Sequence, residues 1–153
     1  MLETPHVVVG AAIAFKVGNP ALALPLALGS HFIIEKIPHW NPHLNTEKKT
    51  QGKVSRQSLK IIIVDTVLAL VLGSAIALRA YPDVKRVVVV LMGAFLAALP
   101  DLIEAPYYFL NKESGFITKW IKFKKSIQAD ANVIPGLIYQ LVTVIAALWW
   151  TMQ

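Results

Sequence analysis

The chain lacks cysteine and has little charge. None of its 153 residues is cysteine, which excludes a disulfide scaffold, a thiol nucleophile and any cysteine-ligated zinc or iron–sulfur site. Only 16% of the residues are charged and 56% are hydrophobic, whereas soluble domains have about 25% and 45–50%. Intrinsic disorder is therefore excluded. With a mean hydropathy of +0.56, the composition predicts one integral-membrane domain that comprises residues 1–153.

The hydrophobic runs predict an all-α polytopic bundle of about five membrane helices. Leu59–Ala80, Val87–Leu110 and Val133–Met152 are each near the ~20 residues that cross a bilayer. Pro5–Val17 is shorter and would span only about 20 Å as a helix. After a turn at Gly18 and Asn19, a further helix is predicted over Pro20–Ile37. We expect the first two helices to form a short hairpin, whose first arm either spans or re-enters.

A separate amphipathic helix is predicted between the last two runs. Over residues 116–127, apolar residues that include Trp120 share one helical face, and lysines flank or oppose it. The lysines are Lys119, Lys122, Lys124 and Lys125. This pattern is typical of a helix that lies in the bilayer interface. A solvated charged loop is the alternative.

The basic residues indicate the orientation in the membrane. With five spans, 11 of the 15 Lys and Arg residues lie in or next to the loops at 38–58 and 111–132, on the same side as the N-terminus. The positive-inside rule places this side in the cytoplasm. The net charge of +6 then points to anionic lipid head groups rather than to nucleic acid. Glu3 and the lack of an early basic stretch do not fit a cleaved signal peptide.

Ionisable residues from several segments are predicted at one depth. At ~1.5 Å per residue, seven of them fall within about 15 Å of the cytoplasmic boundary. They are His6, His31, Glu35, His39, Asp65, Asp101 and Glu104. Ionisable groups in hydrocarbon are costly and usually functional, and no membrane-embedded Lys or Arg is predicted beside these. A divalent cation would neutralise them, and mixed imidazole and carboxylate ligands suit zinc best, with manganese or iron as alternatives.

Five of these residues are the candidate metal ligands. His31 and Glu35 are spaced i, i+4 on one helical face, so they are either ligands or a hydrogen-bonded structural pair. Asp101 is a ligand or an acid at a helix end. His6 is a ligand or an interfacial anchor. His39 is a ligand, a residue that orients a ligand, or a loop histidine.

Asp65 and Glu104 are the candidate catalytic acids. Asp65 is surrounded by apolar residues and has no evident access to solvent. Glu104 follows Asp101 by three residues and so shares its helical face, although it could also be an interfacial acid. Whichever of the two does not bind metal is expected to act as general base or to orient a ligating imidazole.

Three segments carry a resemblance to a known family. Thr4–His6, Gly29–Trp40 and Leu99–Asp101 resemble the small bacterial and archaeal integral-membrane proteins labelled membrane-bound metal-dependent hydrolases, which are distantly similar to zinc-dependent phospholipase C. The resemblance implies a hydrolase in a prokaryotic cell membrane that binds one or two divalent ions. Members more often have Asp at the position of Glu35, and often have a histidine near that of Glu104.

The first hypothesis is therefore a membrane-embedded, metal-dependent hydrolase that acts on a phospholipid or lipid-linked phosphate ester at the cytoplasmic leaflet. Its partners would be the bilayer and anionic head groups, without nucleic acid, and an oligomer is possible. The alternatives are a metal or proton transporter, or a scaffold in which the same cluster only ties helices together. A transporter predicts polar groups across the whole membrane depth, whereas the non-cytoplasmic side is nearly bare of them.

Overall fold

The computed structural model describes residues 1–153, and its regular secondary structure consists of eight helices. The helices are α1 (Glu3–Val17), α2 (Pro20–Ile34), α3 (Leu44–Gln51), α4 (Arg56–Leu78), α5 (Val84–Leu102), α6 (Ala105–Leu110), α7 (Gly115–Ile127) and α8 (Val133–Met152). The predicted all-α class is confirmed.

Helix α1 lies at the centre of the bundle and contacts α2, α4, α5 and α8. Small residues allow this close packing, because a Cβ atom on Gly10 would lie 2.4 Å from Ala97 Cβ and 2.6 Å from the carbonyl oxygen of Gly93. The α1 and α5 backbones therefore approach without an intervening side chain, as is typical of helices packed within a membrane. The core around them consists mostly of alanine, with few larger side chains such as Ile76.

Contacts at the two ends of the bundle establish the helix directions. At one end the carboxylate of Asp65 on α4 accepts a hydrogen bond from the backbone N–H of Glu3, at 2.5 Å. At the other end Arg79 donates to Thr151 Oγ1 at 2.7 Å, joining the ends of α4 and α8. At the first end lie the start of α1, the end of α2 and the polar connections between helices. We call it the polar end.

The predicted helix Val87–Leu110 is wrong as a single element. The structure divides it into α5 and α6, with a turn at Ile103 and Glu104. Pro106 explains the break, since it donates no backbone hydrogen bond and disfavours helical geometry in the residue before it. The turn places Glu104 at the polar end of the bundle. Helix α2 also ends at Ile34, before the predicted end at residue 37.

The predicted loop between the second and third hydrophobic runs contains the short helix α3. Glu47 on α3 accepts hydrogen bonds from Ser55 N–H at 2.8 Å and Ser58 Oγ at 2.7 Å. Burial alone would raise the pKa of Glu47, but these hydrogen bonds lower it overall. Glu47 thereby ties α3 to the start of α4.

Helix α7 confirms the predicted amphipathic helix. Ser114 caps it, with Oγ accepting from Ile117 N–H at 3.1 Å. Trp120 donates through its indole N–H to the carbonyl oxygen of Pro100 at 2.9 Å and so anchors α7 to the end of α5. Phe116 and Phe123 remain largely exposed.

Two helices, α4 and α8, are long and apolar enough to cross a membrane. In each, most residues of the apolar window are exposed rather than packed inside the protein. The remaining helices of the bundle are shorter or more charged. Helices α1 and α2 have 15 residues each, and α5 includes Lys85, Arg86 and Asp101.

Candidate metal centre

The position of His6 follows from the way α1 begins. Two backbone N–H groups at its first turn, those of Glu3 and Thr4, donate to the Asp65 carboxylate at 2.5 and 3.3 Å. Thr4 Oγ1 in turn donates to the Asp65 carbonyl oxygen at 3.0 Å. An acceptor at this place satisfies helix N–H groups that have no partner within the helix. Asp65 thus fixes the start of α1 against α4. His6 lies in the first turn of α1 and is positioned with it.

His31 has one ring nitrogen held and the other free. The side chain is fully buried on α2, and Nδ1 donates to the carbonyl oxygen of Ala97 on α5 at 2.8 Å. In a neutral imidazole the proton on Nδ1 leaves a lone pair on Nε2. His31 Nε2 is buried and has no hydrogen-bond partner. This is the arrangement by which metal-ligating histidines are usually oriented.

His39 repeats the same arrangement just beyond α2. Its Nδ1 donates to the Ile37 carbonyl oxygen at 2.8 Å, and its buried Nε2 has no hydrogen-bond partner, 3.9 Å from Glu35 Oε2. The backbone of His39 is held from both sides by Ala129 and Ala131, with N–H···O distances of 3.0 and 2.9 Å. The connection between α7 and α8 therefore aims this imidazole at Glu35.

Four of the five predicted ligands meet in one cluster. His6, His31, Glu35 and Asp101 each offer one ligand atom, and these atoms all lie within 4.8 Å of one another. Within it, His6 Nε2 is 3.1 Å from Glu35 Oε1 and 3.8 Å from Asp101 Oδ2. Ligands of one tetrahedral zinc ion stand about 3.3 Å apart at bond lengths of ~2.0–2.1 Å. Small side-chain movements would therefore bring the four into coordination distance.

The cluster is closely packed and mostly buried. The His6 and His31 rings stack with their centroids 4.0 Å apart, and neither side chain is exposed. Glu35 is 1% exposed, whereas the Asp101 side chain retains 19%. Asp101 Oδ2 is a buried acceptor without a partner, as is His31 Nε2 if that ring is protonated on Nδ1. Buried acceptors without a partner are costly, and a shared cation would satisfy both of these.

Two ammonium groups also reach the cluster, contrary to the sequence-based expectation that no Lys or Arg lies beside the acids. Lys124 on α7 pairs with Asp101 Oδ1 and lies 3.5 Å from Glu104 Oε1. The Met1 amino group is 2.5 Å from Glu35 Oε1. Burial lowers the pKa of Lys124, although Glu35 and Glu3 oppose this. The carboxylates are therefore partly neutralised by the protein's own cations.

Lys124 also orients Asp101. It engages Oδ1, while Oδ2 remains free and points towards His6. The sequence pattern places Lys124 among the lysines that flank or oppose the apolar face of α7. Its spacing of i+4 from Trp120 and i+3 from Ile121 places it on that apolar face, and this signal could have identified it.

The two predicted catalytic acids lie outside the cluster. Asp65 is engaged by the start of α1, so the structure gives it a capping role, and its catalytic assignment remains a prediction. Glu104 is buried at the turn between α5 and α6, and burial raises its pKa to about 7. A carboxyl group with such a pKa exchanges protons readily near neutral pH.

A cavity of about 340 Å³ opens beside the cluster at the polar end. Its wall includes Glu35 and Asp101 from the cluster, both predicted catalytic acids, and Lys124. The imidazoles of His6 and His31 do not line it and lie behind the carboxylates. A molecule in the cavity would therefore meet the carboxylate side of the cluster first.

Comparisons with known proteins add no relative. No protein-family model matches the chain, and no curated protein or solved structure is significantly similar to it. The function must therefore be argued from the site itself.

Proposed function

We propose that the protein is a membrane-embedded, metal-dependent hydrolase acting on a phospholipid or a lipid-linked phosphate ester at the cytoplasmic leaflet. In this proposal five helices cross a prokaryotic cell membrane, with the polar end in the cytoplasm. One or two divalent ions, preferably zinc, are bound by His6, His31, Glu35 and Asp101, with His39 beside them. The hydrolase part of the proposal takes up the resemblance of Thr4–His6, Gly29–Trp40 and Leu99–Asp101 to the membrane-bound metal-dependent hydrolases.

The distribution of apolar side chains supports the membrane placement. Large apolar side chains on α4 and α8, among them Val64, Leu70, Ile134 and Leu141, are more than half exposed. The interior is built mostly from alanine instead. A soluble protein rarely exposes so extensive an apolar surface, whereas a bilayer would cover it.

The unpartnered ring nitrogen of His31 is the single observation that carries the metal assignment. Nε2 of this buried ring has no hydrogen-bond partner, and His31 offers one ring nitrogen within 4.8 Å of ligand atoms on Glu35 and Asp101. Its Nδ1 is fixed by the Ala97 carbonyl oxygen. The ring is thus oriented to offer a lone pair, which is what a bound cation requires.

The chemistry follows from the positions of the residues around the cavity. A bound divalent metal would lower the pKa of a coordinated water and stabilise charge on the phosphoryl oxygens. Glu104, on the cavity wall, would take up the proton of that water. Lys124 would keep Asp101 oriented and offer positive charge towards a phosphate.

A scaffold is the second candidate, and one observation favours it. Lys124 and the Met1 amino group already pair with Asp101 and Glu35, so the cluster could tie helices together without any metal. A transporter is less well supported, because the ionisable residues of the cluster gather at one end of the bundle. The scaffold predicts neither stoichiometric metal nor turnover.

Hydrolysis by the purified protein tests the proposal. Wild type, His31→Ala and His43→Ala are assayed in mixed micelles of phosphatidylglycerol for released phosphate or head group, with and without added zinc. His43 lines the same cavity outside the cluster and serves as the matched control. We expect zinc-dependent turnover in wild type and His43→Ala, and at least a hundredfold loss in His31→Ala. Equal turnover in all three, or none with any phosphate ester tried, would contradict the proposal.

A further inference from the structure

A second cavity, of about 230 Å³, runs along the side of the bundle between α4 and α5. Its floor is made by small or buried side chains and by Val7 of α1, and its rims by larger apolar ones such as Leu70 and Phe95. The floor residues on α4 and α5 are Ala69, Gly73, Ala94 and Ala98. Because the rim side chains are largely exposed, this groove is open along its length to whatever surrounds the bundle.

The groove borders the cavity at the metal cluster. Glu3, Thr66 and Leu102 line both cavities and mark the place where they meet. Glu3 Oε2 is buried there without a hydrogen-bond partner. A single occupant of both spaces would therefore have a polar head at the cluster, a polar group near Glu3, and an apolar tail along the groove.

The length of the groove matches one leaflet of a bilayer. On α4 it extends from Thr66 to Ser74 and on α5 from Leu102 to Leu91, which is about 12–16 Å at ~1.5 Å per residue. Half of the ~30 Å hydrocarbon core is about 15 Å, the reach of the acyl chains in one leaflet. An extended apolar chain that starts at the cluster would thus occupy the groove and end near its distal residue, Ser74.

We propose that this groove binds one acyl chain of a glycerophospholipid whose phosphate head lies in the cavity at the metal cluster. The inference rests on the membrane placement in the proposed function and specifies its substrate class. The acyl chain would orient the phosphate ester towards Asp101 and Glu35. Helices α4 and α5 each pack more extensively on α1 than on each other, which leaves the groove between them.

Blocking the distal end of the groove tests this assignment. Ser74→Trp places a bulky side chain in the groove, whereas Ala75→Trp places the same side chain on the neighbouring exposed residue, which does not line it. Each protein is equilibrated with vesicles of equal parts phosphatidylglycerol and phosphatidylcholine and extracted in detergent. Native mass spectrometry then counts the phospholipids retained per chain.

We expect one retained phospholipid in wild type and Ala75→Trp, and at least fivefold lower retention in Ser74→Trp. Equal retention in the two variants, or no retained lipid in wild type, would overturn the assignment. A dimer of wild type that Ser74→Trp dissociates would also overturn it, because a second copy would then cover the groove.

A second measurement does not depend on any variant. A phosphatidylglycerol with a photoreactive diazirine near the end of one acyl chain is crosslinked to wild-type protein in the same vesicles. We expect adducts concentrated on residues 70–74 and 91–95. Lipid that only surrounds the protein would label the outer face of α8 as strongly as these residues. Equal labelling would overturn the assignment even if Ser74→Trp failed to fold.

Metal content measured on the same samples separates this inference from the proposed function. Lipid retained in the groove without stoichiometric metal would support the groove and contradict the hydrolase. Metal bound without selective lipid retention would overturn the groove and leave the metal site intact. Both bound, with only the lipid lost in Ser74→Trp, supports both.

Discussion

Adding one methyl group to Gly10 should separate α1 from α5 and weaken the metal cluster. In Gly10→Ala the new Cβ would stand 2.4 Å from Ala97 Cβ and 2.6 Å from the Gly93 carbonyl oxygen. Favourable carbon contacts lie at about 3.5–4.0 Å, so the two helices must move apart by about 1 Å. His6 is one turn from Gly10, and Asp101 is one turn from Ala97. The shift therefore reaches the 3.8 Å approach of His6 Nε2 to Asp101 Oδ2.

The expected magnitude combines two opposed effects. Overpacking costs about 1–3 kcal/mol, and the upper end applies here because one of the contacted atoms is backbone. The change from glycine to alanine in a helix returns up to about 1 kcal/mol. The free energy of unfolding should fall by about 2 kcal/mol net. For a chain of this size that corresponds to a lowering of the midpoint temperature by about 4–8 °C.

Gly29→Ala is the matched control. Gly29 lies in the interior of α2, and a Cβ atom there has no other atom within 4 Å. This variant should keep only the helix gain and melt at or slightly above the wild-type temperature. Thermal unfolding in detergent, followed by circular dichroism, and zinc titration of each protein provide the comparison. If Gly10→Ala matched Gly29→Ala in stability and zinc affinity, the argument for close α1–α5 packing would be refuted.

Three further predictions concern residues outside the metal cluster. Lys124→Met should weaken zinc binding about 10–100-fold, because Asp101 would lose the group that orients it. Lys125→Met should leave zinc affinity unchanged, and zinc titration of both variants measures the difference. Asp65→Ala should lower the free energy of unfolding by about 1–2 kcal/mol through loss of the α1 cap. Asp65→Asn keeps an acceptor oxygen for the cap and should bind zinc like wild type, so loss of zinc in Asp65→Asn would assign the carboxylate to the metal instead. Because the pKa of Glu47 is lower in the folded protein, its stabilising contribution is complete above its unfolded value of about 4.3 and is lost as the pH falls through the folded one. The protection factors of amides at the start of α4, which correct for the pH dependence of intrinsic exchange, should therefore fall in acid in wild type, and Glu47→Gln should remove that dependence.

The sequence predicts the helices well wherever local signals are strong. The turn at Gly18 and Asn19 and the start of a helix at Pro20 are as expected, with Asn19 capping α2. The bounds predicted for α8 are those of the structure. The break before α6 was missed because Val87–Leu110 is apolar throughout apart from two acids, and hydropathy does not respond to the geometry that Pro106 imposes.

The sequence predicts which residues lie at the level of the candidate site, but not which side chains pair with one another there. Depth along each helix follows from residue counting alone, which places His6, His31, Glu35 and Asp101 at one level together with three residues that lie outside the cluster, His39, Asp65 and Glu104. The pairing of Lys124 with Asp101 requires α7 to pack against the end of α5, and no local sequence pattern predicts that contact. The use of Asp65 as a cap for α1 depends on how α1 and α4 cross. These features are tertiary, and one sequence carries little signal for them.

Bound metal tests the central claim most directly. Protein purified in detergent without chelator is measured by inductively coupled plasma mass spectrometry, for wild type, His31→Ala and His43→Ala. We predict one or two equivalents of a divalent metal in wild type and His43→Ala, and less than a tenth of that in His31→Ala. Wild-type protein without stoichiometric metal, even after incubation with zinc and removal of the excess, would contradict the metal centre.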